Sequence, residues 1–347
     1  MTTLLKTIIV VFFTLFPVFE TLTANDLKVK KIWSNDKYCA FTSLIEFKGV
    51  YYCAFREAES HIFDRDEEAR GAVRIISSKD GEQWTPVALI TKPGTDLRDP
   101  KLSITPSGKI MLLMGGSVYK NKNLEASYTQ ICFSDDGKSF SNPIDAKMDH
   151  DFLGNKNWLW NLTWHKNKGY VINYNYVKPG DTRIFLMETS DGISYKIVSS
   201  IDLKDFPNEA TIRFSKKNEM FVIVRKDAGD RKGYWCSSLP PYNQWNCKQI
   251  DVKLGGPDFI FLDNNNFLLG SRCLKDDSKP KTALYLGNKD GNIKELVEFP
   301  SGGDNSYPSI LKVGKEVWIS YYSQHESGNC EIYLAKYPLK KIKKEFF

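Results

Sequence analysis

The segment GGDNSYPSIL, residues 302–311, sets Tyr307 directly before a proline and an apolar, strand-like run. Two readings are open: an aromatic packed at the mouth of a strand, or a phenol held for chemistry. The second needs company, because a neutral phenol is a weak nucleophile until a neighbour accepts its proton. Polar groups that could supply that company recur along the chain. They are Arg56, Glu57, His61, Asp64, Asp66 and Arg70, then Arg98 and Asp99, then Asp149, Asp151, Asn157 and Trp158. Glu209 and Arg225, Asp258 and Arg272, and finally Asp304, His325 and Glu326 complete the set. Carboxylates move protons, and guanidinium matches an anion in bidentate fashion. Each residue also has a plainer role. Asp99-Pro100 can simply start a strand, and Arg70 and Arg74 can pair with the acidic loop 64–68. His325 can bond a backbone neighbour. Asp149-His150-Asp151 reads as a turn, since adjacent residues seldom face one ion. Whether the groups form one site depends on the elements that carry them.

Those elements repeat. An apolar run, a short turn and a second aromatic-rich run occur at 40–55, 101–115, 162–176, 211–225, 259–272 and 309–322. The turn residues Gly49, Gly108, Gly169, Asn218, Asn265 and Gly314 lie about 47–61 positions apart. Such pairs read as β-hairpins. A third strand follows each: VRIIS, TQICFS, IFLMET, GYWCSS, TALYLG and EIYLAK. After the first three comes Ser/Thr-x-Asp-Gly-x-x-aromatic: SKDGEQW, SDDGKSF and TSDGISY, with NKDGNI as a worn copy. The aspartate bonds its own turn and the glycine takes positive φ. Four strands per unit and six units predict an all-β fold, a six-bladed β-propeller of four-stranded antiparallel sheets. The sixth unit lacks a fourth strand, and LKVKKIW (27–33) is placed to supply it and close the ring.

The antiparallel order sorts the residues. Starts of first strands and ends of second strands share one face, and the Asp-Gly turns lie on the other, where they read as structural. The polar set above therefore converges on one concave mouth, where a ligand site belongs. Trp158 and Trp160 alternate along a strand, so one is expected in the core and the other at the mouth.

Composition excludes several classes. The net charge of +6 is spread along the chain, apart from the basic tail 341–347. No nucleic-acid module, P-loop or GxGxxG is present, and no nucleic-acid partner is expected. Lys6, the apolar run 7–19 and TLTA (21–24) read as a signal peptide over residues 1–24. That run is short for a membrane span, so a secreted or periplasmic single domain over 25–340 is expected, with no integral membrane segment, and as a monomer. Export permits disulfides. Seven cysteines leave at least one unpaired; Cys236–Cys247 and Cys39–Cys53 are candidate cross-strand pairs, with buried free thiols as the alternative. Zinc spacings are absent, and neither a metal nor another cofactor is expected.

The Asp-Gly motif resembles the Asp boxes (BNR repeats) of the sialidase, or neuraminidase, superfamily, each copy being one residue shorter. The likeness spans the mature chain. NEATIRFSKKNEMFVIVR (208–225) is similar to that family's segment with a catalytic glutamate and a binding arginine, which fall on Glu209 and Arg225. DNSYPSILKVGKEVWISYY (304–322) is similar to the segment with its tyrosine nucleophile, which falls on Tyr307. Arg272 is a candidate for the third of that family's sugar-binding arginines. The first arginine's place reads YCAFTSL, with Cys39 there; Arg56 or Arg98, and Asp99 beside it, stand near as substrate contacts. The acid/base aspartate falls in the blade 1 loop, on Asp64 or Asp66.

The resemblance implies an exo-glycosidase acting on a terminal acidic sugar, sialic acid or a relative, in a glycoconjugate. Glu209 would deprotonate Tyr307, and Asp64 or Asp66 would protonate the leaving oxygen. A neutral nucleophile suits an anomeric carbon that bears a carboxylate. Two alternatives stay open: a glycan-binding propeller without turnover, and another carbohydrate enzyme, a lyase or glycosidase, on the same scaffold.

Overall fold

A computed structural model describes residues 27–148, 154, 156–175, 183–275 and 279–346. The candidate signal segment 1–24 and the Asp149-His150-Asp151 turn lie outside these. Six sheets follow one another along the chain, antiparallel apart from one short parallel pair of Lys147–Met148 with Ser194–Asp202. The inner strands are Tyr38–Phe47, Asp96–Ile104, Asn157–Leu159 continued by Thr163–His165, Pro207–Phe214, Asp258–Phe261 and Asn305–Val313. The last sheet is completed by Lys28–Trp33, which pairs antiparallel with Glu331–Pro338. The first strand of the chain thus closes the ring, as its sequence predicts, and leaves no free edge on Glu331–Pro338.

Adjacent inner strands belong to different sheets and form no continuous ladder, apart from an isolated bridge between Asn161 and Thr211, so short hydroxyl side chains join them. Thr42 Oγ1 donates to the Tyr307 carbonyl at 2.8 Å, and Thr211 Oγ1 to that of Pro257 at 2.9 Å. The amides of Leu44 and Leu102 donate to Ser309 Oγ and Ser43 Oγ, both at 2.9 Å. Buried backbone groups are satisfied in this way, and the inner strands are held in fixed register around the axis.

The Asp-Gly turns do what their chemistry suggests. One oxygen of Asp80, Asp136 and Asp191 accepts two successive amides each, at 2.7–3.1 Å. Glycine is needed twice over at Gly81: φ is +71°, and a Cβ would lie 2.3 Å from the Trp318 ring of blade 6. Each of these turns docks on the blade before it, Gly137 on Tyr52 and Gly192 on Met111. They pin neighbouring blades together and lie far from the mouth.

Cys236 and Cys247 form a disulfide across adjacent strands, while Cys39, Cys53, Cys132, Cys273 and Cys330 are buried thiols. The basic chain end includes a short helix, Leu339–Lys343, which buries Leu339 and Ile342. No helix among the described residues is long and apolar enough to cross a membrane.

Candidate active site

Four inner strands carry a bulge near their start, where two residues slip out of register with the next strand. The pairs are Phe41-Thr42, Asp99-Pro100, Asn208-Glu209 and Tyr307-Pro308. Bulges re-aim side chains. Phe41, Asp99 and Tyr307 take φ of +63°, +49° and +48°, a region that costs a non-glycine residue roughly 1–3 kcal/mol. Three strained residues from three blades thus meet around one axis.

At the centre the Tyr307 hydroxyl donates to Glu209 Oε1 at 2.5 Å. The other carboxylate oxygen accepts from Arg225 Nη1 and the Gly256 amide, both at 2.8 Å. Arg225 Nη1 also lies 3.3 Å from the phenol oxygen, and Asp227 holds the rest of that guanidinium at 2.8–3.0 Å. Gly256 cannot be replaced here: its φ is +60°, and a Cβ would lie 2.6 Å from the Tyr307 ring. Burial raises the phenol well above its ordinary range, and the Glu209 charge adds to this. Burial pushes Glu209 up as well, but Arg225, the phenol hydrogen bond and the Gly256 amide outweigh it and hold the carboxyl below its usual value. The resting pair is therefore a neutral phenol beside a carboxylate, the arrangement a base and its nucleophile require.

Arg272 stands 5.9 Å over the Tyr307 ring. It donates to the Asn305 carbonyl at 2.9 Å and to Asp304 Oδ1 and the Tyr322 hydroxyl, both at 3.2 Å. Asp304 also takes hydrogen bonds from Tyr38 and Tyr322 and lies 3.0 Å from His61 Nδ1. Burial opposes its charge, yet these partners hold its carboxyl down at about 2.

Asp99 is 8% exposed and makes no hydrogen bond or ion pair with any described residue. Burial pushes its carboxyl up to about 6, against the pull of Arg98 and with a further push from Glu209. A buried carboxyl that takes up its proton near pH 6 can serve as a proton donor on the acid side of neutrality. Sequence reading put Asp99 among substrate contacts and the acid on Asp64 or Asp66. The geometry argues otherwise. Asp64 Oδ1 accepts the amides of Asp66 and Glu68, closing its own loop, and Asp66 is 74% exposed with Arg70 as its partner. Neither is in contact with Tyr307 or Glu209.

Arg56 likewise is no ligand contact. It has no exposed surface, and it donates to Asp96 Oδ1 at 2.7 and 3.2 Å and to the Ser60 carbonyl at 2.7 Å. The other Asp96 oxygen holds Arg98 at 2.9 Å, and Arg98 reaches the His61 carbonyl and the face of Phe41. Arg56 is thus a brace behind the wall that Arg98 belongs to. Cys39 is buried, with Sγ at 3.2 Å from Asn35 Oδ1. Phe41 fills the space in front, its ring 4.8 Å from that of Tyr307. Both tryptophans are buried: Trp158 stacks on Tyr174, and Trp160 lies 5.8 Å from the Tyr307 ring.

Phe41, Lys101, Asp227, Gly256 and Tyr322 escaped the sequence reading. The first had a signal, its repeated place at the head of an inner strand. A surface cleft of about 720 Å³ lies beside the 59–71 loop between blades 1 and 2, lined by Phe63, Arg70 and Tyr119, and excludes Tyr307.

No protein-family model and no curated protein matches the chain. Solved structures do. A protein of unknown function from Dyadobacter fermentans superposes with a TM-score of 0.75 at 19% identity, covering 90% of this chain and 98% of that one. The NanB sialidase of Streptococcus pneumoniae gives 0.69 at 11% identity, covering 90% and 71%. The α-L-arabinofuranosidase Arb93A of Fusarium graminearum gives 0.66 at 13%, covering 90% and 97%. The chain therefore shares the six-bladed propeller of sialidases and arabinofuranosidases.

Proposed function

We propose that the protein is an exported retaining exo-glycosidase that releases a terminal 2-keto acid sugar, with Tyr307 as nucleophile. The observation that carries this reading is the Tyr307–Glu209 hydrogen bond, with Arg225 and Arg272 beside it. Such a sugar bears a carboxylate on its anomeric carbon, which repels an anionic nucleophile and accepts a phenol. The Tyr307 oxygen attacks that carbon as its proton passes to Glu209 Oε1. Asp99 gives its proton to the departing glycosidic oxygen. Water then attacks the tyrosyl-linked sugar, losing its proton to Asp99, and the phenolate recovers its own from Glu209. Arg225 and Arg272 orient the substrate carboxylate. The shared fold of glycoside hydrolases supports the reaction class.

The test is a panel of aryl α-ketosides of sialic acid and related 2-keto acids, beside aryl α-L-arabinofuranoside. Release from a ketoside by wild type, lost in Tyr307→Phe, is expected. No ketoside release, or equal release by Tyr307→Phe, contradicts the reading. One observation favours a second reading: Cys39 stands at the first sugar-binding arginine's place and Phe41 sets an apolar ring against Tyr307, which suits a neutral sugar, and the arabinofuranoside arm tests it. Export is part of the proposal, and a secreted mature chain beginning after Thr23 or Ala24 is its expected signature.

A further inference from the structure

Lys101 follows Asp99 by two residues on the inner strand of blade 2 and is 8% exposed. Its ammonium makes no hydrogen bond or ion pair with any described residue. It lies instead between two rings, 4.7 Å from the centre of Trp160 and 5.8 Å from that of Tyr307. A cavity of about 190 Å³ adjoins it, lined also by Asn161, Arg213, Asp258, Pro308 and Ser309. Buried ammonium groups ordinarily sit in contact with an anion. Burial pulls the Lys101 ammonium below its ordinary range, and the opposite charges that support it stand off: Asp99 on its own strand, Asp258 from blade 5 and Glu209 from blade 4. Arg213, also from blade 4, repels it, but is already paired with Asp258 at 2.7 Å. Asp99 in turn faces Arg98, Lys101, His61, Glu209 and Tyr307, and has no contact partner of its own.

We propose that Lys101 is a positioning residue whose ammonium, held between the faces of Trp160 and Tyr307, tunes the Asp99 carboxyl and backs the Tyr307 phenol. A cation over a ring face is attracted to the ring, and more so as the phenol loses its proton and the ring gains negative charge. The same cation favours the ionised form of Asp99, so it keeps that group able both to give a proton and to take one back. This inference rests on the roles given to Tyr307 and Asp99 above, but its test does not need turnover.

The protein is labelled with ¹³C at aspartate side-chain carboxyls, and Asp99 is assigned with Asp99→Asn. Its titration is followed in wild type, Lys101→Met and Lys101→Arg. Removing the charge raises the Asp99 midpoint by about one pH unit or more, tenfold in proton affinity, and arginine restores most of the shift. An unchanged midpoint in folded Lys101→Met overturns the proposal. Should that variant not fold, wild type labelled at lysine ¹³Cε decides: one lysine methylene, lost in Lys101→Arg, is shifted upfield by the two rings and moves as Asp99 titrates. Absence of such a signal overturns the proposal too. If the midpoint shifts but no ketoside is cleaved by wild type, the role of Lys101 stands and the glycosidase reading falls.

Discussion

The Tyr307 hydroxyl reaches across the propeller mouth to Glu209, 98 residues earlier, and donates at 2.5 Å to a carboxylate whose second oxygen is locked by Arg225 and Gly256. The two residues sit on bulges of different inner strands, blades 4 and 6. Only ring closure brings them together. A phenol aimed at a fixed base, with two guanidinium groups beside it, is costly to assemble for packing alone, since each bulge residue gives up regular strand geometry.

Tyr307→Phe keeps the ring and its contacts with Phe41 and Trp160 but removes the oxygen. Glu209 retains Arg225 and the Gly256 amide. Glu209 Oε1, however, loses its donor, so stability should fall by about 1–3 kcal/mol, while kcat falls by roughly 10³-fold or more, the scale of losing a nucleophile. Chemical denaturation and ketoside hydrolysis check the two halves. Comparable activity in a folded variant contradicts the role.

The pH profile follows from two carboxyls. The first step needs Asp99 protonated and Glu209 ionised. Glu209 is held below its usual value, so activity rises on the acid side there. Asp99 titrates near 6, so kcat/KM falls tenfold per unit above that point. In Asp99→Asn the alkaline limb should vanish. That variant should lose roughly 10²–10⁴-fold on alkyl glycosides and far less on activated aryl ones. An alkaline limb that persists in Asp99→Asn points to another acid.

Asp96 is a test of the wall rather than of the chemistry. It neutralises Arg56, which has no exposed surface, and holds Arg98 as well. Asp96→Asn leaves a buried guanidinium without its charge partner, a loss of about 3–5 kcal/mol. Urea unfolding should show it. A midpoint within error of wild type would place water around Arg56.

Much of this was legible in the chain and some was not. The six hairpins, the closing strand and the Asp-Gly turns show in sequence because each obeys a local rule of period or turn chemistry. Glu209, Arg225, Arg272 and Tyr307 could be placed at one mouth because strand order fixes which ends share a face. The bulges do not show. Positive φ at Phe41, Asp99 and Tyr307 has no glycine to mark it. Without the bulge, Asp99 reads as a strand start and Lys101 draws no notice. Arg56 looked free because its partner Asp96 lies 40 residues on. Asp64 looked catalytic because a loop that caps its own turn has the same composition as one that serves a substrate.

Ring closure has its own check. A chain beginning at Ser34 lacks Lys28–Trp33, leaving Glu331–Pro338 as a bare edge and removing the buried Ile32. Such a protein should aggregate or unfold at a clearly lower temperature. Adding the peptide LKVKKIW back should recover part of the loss. Unchanged stability of the shortened chain would mean that the ring is closed by other contacts.

The covalent step is the most exposed part of the account. Protein incubated with an activated, 3-fluorinated 2-keto acid glycosyl fluoride, then digested and analysed by peptide mass spectrometry, should carry one sugar on the peptide containing Tyr307. The adduct should be absent in Tyr307→Phe and slow to form in Glu209→Gln. A sugar found on any other side chain, or none on a protein that hydrolyses the parent ketoside, would contradict a tyrosine nucleophile.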